Sequence, residues 1–203
     1  MSRRSEEDVY QVVSQIKVFV IVSIVGLLGL TLVVIVLDRT TETFEQAARY
    51  RPPVESANPG QGTPSESIIN PVHGQLVYVP AYSHIYHKDG SPTLLTITLS
   101  IRNTSLDHGI VIDSVRYFDT NGKEVKSYLK KPIRLEPLAT TEFLVERDDT
   151  SGGSGANFLV RWTAEDFVSA PVIEAVMIDT EIQQGISFVR NGTVIEEIGS
   201  ETN

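Results

Sequence analysis

A run of twenty residues without a charge, Val18 to Leu37, constrains this chain more than any other feature. An α-helix rises about 1.5 Å per residue, so such a run is about 30 Å long, the thickness of the hydrocarbon core of a bilayer. Lys17 and Asp38 bracket the run closely. The sequence therefore predicts a transmembrane helix whose partner is the lipid bilayer.

The run is predicted to be an uncleaved signal anchor. A cleavable signal has an apolar region of about 7–15 residues followed by a small-x-small site, whereas this run is longer and is followed by Asp38-Arg39-Thr40. Basic residues are balanced on the two sides, so charge alone does not fix the orientation. The short leader favours a cytoplasmic N-terminus and an extracytoplasmic (periplasmic) C-terminal domain, and the opposite orientation stays open.

Composition excludes several classes of protein. The chain has no cysteine, which rules out disulfides, thiolate chemistry and cysteine zinc sites. Its formal net charge of −9 repels phosphate backbones, so no nucleic-acid partner is expected. No cofactor is expected either.

Four regions are predicted along the chain. A short tail (1–17) precedes the transmembrane helix (18–37), and a juxtamembrane segment with a linker follows (38–71). Five of the ten prolines fall within residues 52–71, together with glycines and serines, which is typical of a flexible linker. Residues 72–203 form the remaining domain.

That domain is predicted to be an immunoglobulin-like β-sandwich of about eight or nine strands. Apolar and polar residues alternate along residues 93–103 (TLLTITLSIRN) and along several similar runs, separated by turn residues about every ten positions. Asn121-Gly122 and Asn191-Gly192 each lie between two such runs. Because Asn and Gly tolerate positive φ, both pairs predict hairpin turns, the second at the C-terminus.

Four segments of the domain give a resemblance to a known family. They are residues 78–86 (YVPAYSHIY), 100–104 (SIRNT), 149–158 (DTSGGSGANF) and 184–188 (QGISF). Residues 72–198 resemble an uncharacterised bacterial family described only as a domain of unknown function. The resemblance implies a bacterial, membrane-linked or exported protein, and it implies no activity.

Residues 77–89 hold the densest group of aromatic and histidine side chains. In one extended strand, alternate residues share a face, which here comprises Tyr78, Tyr82, His84 and Tyr86. The intervening residues are mostly aliphatic and suit the core. We expect the aromatic face to bind a protein partner or cell-envelope ligand, or else to cover the sandwich as packing. Pro80 cannot donate a ladder hydrogen bond, so the segment is an edge strand or bends there.

A metal site is a further possibility in this segment, with His84, His87 and Asp89 as ligands. Two histidines three residues apart point to opposite faces of a strand, so a turn is needed to bring them together.

The segment at residues 148–155 (DDTSGGSG) is the other unusual one. Such composition is typical of a mobile loop. Its glycines and acids also suit ligand binding, for which we nominate Asp148, Asp149, Ser151 and Ser154. An enzyme would need a base near its substrate, and only His84 with the two aspartates offers one. A non-enzymatic binding protein is the preferred interpretation.

Overall fold

The computed structural model describes residues 15–36, 49–50, 63–68, 70–181 and 185–199. The chain divides into two units, Met1–Tyr50 and Arg51–Asn203, and each is described by itself. In the first unit, helix α1 spans Gln15–Val36 and exposes its side chains. The helix takes in the last three residues of the predicted tail, because residues 15–17 continue the same helical backbone. Leu37, residues 1–14 and most of the predicted linker lie outside the described residues.

The second unit is mainly β, as predicted. Its strands are β1 (Thr63–Pro64), β2 (His73–Pro80), β3 (His84–His87), β4 (Ser91–Leu94), β5 (Thr96–Arg102), β6 (Ile110–Phe118), β7 (Glu124–Ser127), β8 (Ile133–Leu135), β9 (Thr140–Val145), β10 (Asn157–Ala164), β11 (Val172–Asp179), β12 (Ile186–Asn191) and β13 (Thr193–Ile198).

The strands form two large antiparallel sheets and one small one. Within the described ranges, the larger sheet has seven strands in the order β1-β8-β6-β10-β2-β13, with β7 also paired to β6. The second sheet has four strands in the order β12-β11-β5-β9. β3 and β4 form a separate two-stranded sheet.

Both large sheets contribute to one hydrophobic core, which confirms the β-sandwich prediction. The alternation along β5 buries Ile97, Leu99 and Ile101 from the four-stranded sheet. The seven-stranded sheet supplies the two largest fully buried side chains, Trp162 and Tyr117, together with Phe158. Burial of apolar side chains on this scale is the main stabilising contribution to such a domain.

Two predicted strands are each divided in the structure. The aromatic segment ends its first strand at Pro80 and begins the next at His84 in a different sheet. The run at residues 93–103 likewise divides between β4 and β5. At the first break the chain leaves a large sheet for the small one, and at the second it returns from the small sheet to a large one. These divisions, together with the short strands β1 and β8, take the strand number above the predicted eight or nine.

The predicted C-terminal hairpin is wrong. β12 pairs with β11 in one sheet, whereas β13 pairs with β2 in the other. Gly192 is the crossing point, where its backbone N donates to the carbonyl oxygen of Ile173 at 2.8 Å. A Cβ added to Gly192 would lie 2.5 Å from Cγ1 of Val77. Asn191-Gly192 therefore allows the chain to pass closely from one sheet to the other.

Candidate functional site

The small sheet is a hairpin formed by β3 and β4, here called the aromatic hairpin. His84 pairs with Leu94 and His87 pairs with Ser91. The turn between the strands needs positive φ at Lys88 (46°) and Gly90 (92°), and the Gly90 N donates to the His87 carbonyl oxygen at 3.1 Å. In the described part of the chain, neither strand pairs with any other, so each retains a free edge.

The base of the aromatic hairpin is fixed to the loop at residues 148–155, here called the Gly/Ser loop. Ser83 is fully buried, and both its backbone N and its Oγ donate to the Gly153 carbonyl oxygen at 3.1 Å. The Leu95 N donates to the Ser83 carbonyl oxygen at 2.9 Å. The structure therefore brings together the two segments that the sequence nominated.

The four aromatic-face residues do not form one stripe. Tyr78 lies in β2, which pairs with β10 on one side and β13 on the other, so the edge-strand alternative is wrong and the bend at Pro80 is correct. Tyr82 is half-buried after the bend and contacts Phe188 edge-to-face, with ring centroids 5.8 Å apart. Only His84 and Tyr86 lie on the aromatic hairpin.

His84 and Tyr86 form a pair on one face of β3. Their rings meet edge-to-face at 5.1 Å, and Nε2 of His84 lies 3.1 Å from Oη of Tyr86. Tyr86 is 61% exposed. The pair presents an apolar ring surface and hydrogen-bonding groups to solvent, a combination typical of protein interfaces.

The predicted metal ligands are not brought together. His84 and His87 lie three residues apart in β3 and point to opposite faces, and Asp89 belongs to the turn. Among the described residues, no group of three or more His, Asp or Glu side chains is close enough to hold a metal ion.

The acids of the Gly/Ser loop are engaged locally. Asp148 pairs with Nη1 of Arg147 at 3.8 Å, and Oδ1 of Asp149 accepts from both the backbone N and the Oγ of Ser151. Within the described ranges, no hydrogen bond or ion pair joins His84 to either aspartate, so the nominated carboxylate–histidine group is not assembled. Ser154 is half-buried in the same loop.

The glycines of the loop allow close packing against a neighbouring turn and a buried tyrosine. The Gly152 carbonyl oxygen accepts from the N of Thr120 at 2.9 Å and from its Oγ1 at 3.1 Å. A Cβ on Gly152 would overlap Oη of Tyr117. Burial, and then the Asp149 charge, raise the pKa of Tyr117 well above its ordinary value. The loop that composition marks as mobile is therefore packed and hydrogen-bonded.

Sequence reasoning missed a cleft of about 670 Å³ on the seven-stranded sheet. Its polar side chains include Asp113 and Arg161, which are far apart in sequence and carry no motif. A strand irregularity brings them together, and no local sequence signal marks it.

The fold defines the class of this protein: a β-sandwich domain in a chain that also has an N-terminal helix long and apolar enough to cross a membrane. Its length and composition suit either a membrane anchor or a signal sequence. Residues 74–195 match the family described as protein of unknown function (DUF3124), and the chain belongs to that family. This match confirms the resemblance to an uncharacterised domain family.

Other comparisons add little. No curated protein matches the chain. A solved structure titled "Crystal Structure of Thermotoga maritima 1070" is similar with a TM-score of 0.35 and 12% sequence identity, covering 66% of this chain and 100% of that chain. A likeness of this size assigns neither fold nor function.

Proposed function

We propose that this chain is a membrane-anchored, non-enzymatic protein whose β-sandwich domain is extracytoplasmic and binds a protein partner through the aromatic hairpin. The observation that carries the proposal is the His84–Tyr86 pair on a hairpin outside both large sheets. Helix α1 supports anchoring, because its 22 residues suffice to cross a bilayer.

Two properties of the hairpin favour a protein partner over a small ligand. An exposed tyrosine supplies a large contact area at low cost in side-chain entropy, which is why tyrosine is enriched at interfaces. The free edges of β3 and β4 also offer backbone N–H and C=O groups that a strand of a partner can pair with.

The attachment of the hairpin supports a preformed binding surface. Both hydrogen bonds from Ser83 to the Gly153 carbonyl oxygen fix the start of β3. The Leu95 N donates to the Ser83 carbonyl oxygen, which fixes the end of β4. A surface that is ordered before binding loses less conformational entropy on association.

Site-specific cross-linking in native membranes tests the proposal. A photoreactive amino acid replaces Tyr86 in the full chain, and a second sample carries it at Leu106, which is 73% exposed on another loop. We expect one defined cross-linked protein from position 86 and none from position 106. Identical products from both positions, or no product from position 86, would contradict the proposal.

A matched pair of histidine variants sharpens this experiment. His84→Ala removes the ring that contacts residue 86, whereas His87→Ala removes a ring on the opposite face of the same strand. We expect cross-linking from position 86 to fall severalfold in His84→Ala and to persist in His87→Ala. Equal yields in the two variants would show that the aromatic pair does not form the contact.

A further inference from the structure

The cleft of about 670 Å³ has a floor of strand residues and a wall of chain that precedes β2. Asp113, Ser114, Arg161 and Thr163 come from the neighbouring strands β6 and β10. Ile198 comes from β13, and Ile68 and Pro71 contribute the wall. Pockets that hold small molecules have volumes of about 300–1,000 Å³, with apolar walls and a few convergent polar groups.

A β-bulge in β6 creates the polar floor. Arg161 is opposite Ser114, but the next residue, Trp162, is opposite Ile112, which leaves Asp113 as the extra residue. The alternation of β6 changes phase there, since Val115 and Ile112 are both buried while Asp113 and Ser114 are half-buried. Two adjacent polar residues therefore face outward, an arrangement that a regular strand does not allow.

The two charged groups of the cleft remain available to a ligand. In the described part of the chain, the side chain of Arg161 forms no hydrogen bond or ion pair, although acidic residues outnumber basic ones in this protein. Oδ2 of Asp113 accepts from Oγ1 of Thr163 at 2.8 Å, which fixes the carboxylate, and its Oδ1 has no partner among the described residues. Arg161 and Asp113 do not pair with each other within 4.0 Å.

We propose that this cleft binds a free apolar α-amino acid. The guanidinium of Arg161 pairs with the ligand's carboxylate, for which its planar donor geometry is suited. The free oxygen of Asp113 accepts from the ligand's ammonium group. The ligand's side chain contacts Ile68, Pro71 and Ile198.

Thermal melts of the full chain in detergent test this proposal. Unfolding is monitored by the fluorescence of Trp162, which is the only tryptophan and is buried. The probes are L-leucine, N-acetyl-L-leucine, which lacks the ammonium group, and L-leucinamide, which lacks the carboxylate. We expect leucine at about 100 times its Kd to raise the Tm by about 5 °C or more, and the other two to give much smaller shifts. No shift with leucine up to 50 mM, or an equal shift with either analogue, would overturn the proposal.

Variants assign the response to the two charges. Arg161→Gln and Asp113→Asn are each expected to weaken leucine binding about tenfold or more, because each removes one charge-assisted contact. Arg116→Gln is the matched control: Arg116 lies on the same strand as Asp113 but pairs with Glu124. Thr163→Val removes the hydroxyl that holds the Asp113 carboxylate in place but keeps the charge of Asp113. It therefore distinguishes a loss of leucine binding caused by disturbed structure from one caused by a lost charge. Leucine binding that survives Arg161→Gln unchanged would also overturn the proposal.

Discussion

At the residue scale, the buried hydroxyl of Tyr117 shows how the Gly/Ser loop is packed. The hydroxyl has no hydrogen-bond partner among the described residues, and Gly152 leaves the space it occupies. A buried hydroxyl without a partner carries a desolvation cost. The glycine-rich segment therefore has a packing role that its composition alone does not reveal.

Tyr117→Phe is expected to leave the free energy of unfolding at neutral pH unchanged or to raise it by up to about 1 kcal/mol, since an unsatisfied buried group is removed. The raised pKa of Tyr117 gives the pH dependence. Ionisation of this residue leaves the free energy of unfolding unchanged below the unfolded pKa of about 10. As the pH rises further, the free energy of unfolding falls, because only the unfolded tyrosine ionises there. Denaturant titrations from pH 8 to 11 should show a steeper loss of stability in wild type than in Tyr117→Phe. Parallel curves would contradict this account.

Asn103 is a second residue whose role is set by geometry. It is 2% exposed, and its Nδ2 donates to the carbonyl oxygens of His108, Leu135 and Glu136 at 2.9–3.1 Å. Its Oδ1 accepts from the N of Ser105 at 2.9 Å.

Asn103→Asp is expected to lower the free energy of unfolding by about 2–4 kcal/mol, because a carboxylate has the same shape but cannot donate to the carbonyl oxygens around Nδ2. Urea unfolding measures the change. Asn121→Asp, on an exposed turn, is the matched control and should change stability by less than about 0.5 kcal/mol. Equal effects at the two positions would show that the Asn103 hydrogen bonds are not important for stability.

At the element scale, two Asn-Gly pairs give different structures. Asn121-Gly122 joins β6 to its partner β7, and Gly122 has φ of 78°, as a tight turn requires. Asn191-Gly192 joins strands of different sheets, and neither residue has positive φ. The dipeptide specifies a permissive backbone, whereas tertiary pairing decides whether a hairpin forms.

Gly192→Ala is expected to destabilise the domain by about 1–3 kcal/mol, since the new methyl group would be forced against Val77 and the Ile173 carbonyl oxygen. Gly185→Ala is the control, because its Cβ would be in ordinary contact at 3.4 Å and above and its φ is not positive. Chemical unfolding of both variants gives the comparison. A loss of stability of the same size in Gly185→Ala would contradict the close-crossing explanation.

The same contrast explains how far the sequence predicts this fold. Local alternation correctly predicts strands such as β5 and β10, because burial of one face imposes a period of two. Pro80 marks the bend that ends β2, but alternation does not reveal that β3 joins a separate sheet, nor the bulge at Asp113, because both depend on partners distant in sequence. Sequence composition predicted His84 and Tyr86 as candidate binding residues, whereas it did not predict Asp113 and Arg161 of the cleft.

At the scale of the whole molecule, the proposed extracytoplasmic domain gives a direct test of orientation. The chain has no cysteine, so single cysteines can be introduced cleanly. Leu106→Cys, at an exposed loop of the sandwich, is expected to react with a membrane-impermeant maleimide in intact cells. Ser5→Cys in the N-terminal tail should react only after permeabilisation, and the reverse pattern would contradict the orientation.

The pairing of β2 has a consequence for how the domain folds after synthesis. β2 comes early in the sandwich, yet its partners, β10 and β13, come from the far end of the chain. Gln75 and Glu197 even join their side chains across this pairing at 3.0 Å. Non-local topology of this kind slows folding, because distant contacts must form before the sheet is stable. In the proposed orientation the N-terminus stays in the cytoplasm and the sandwich domain crosses the membrane in chain order. β2 then arrives well before its partners, and the sandwich closes only when β13 emerges.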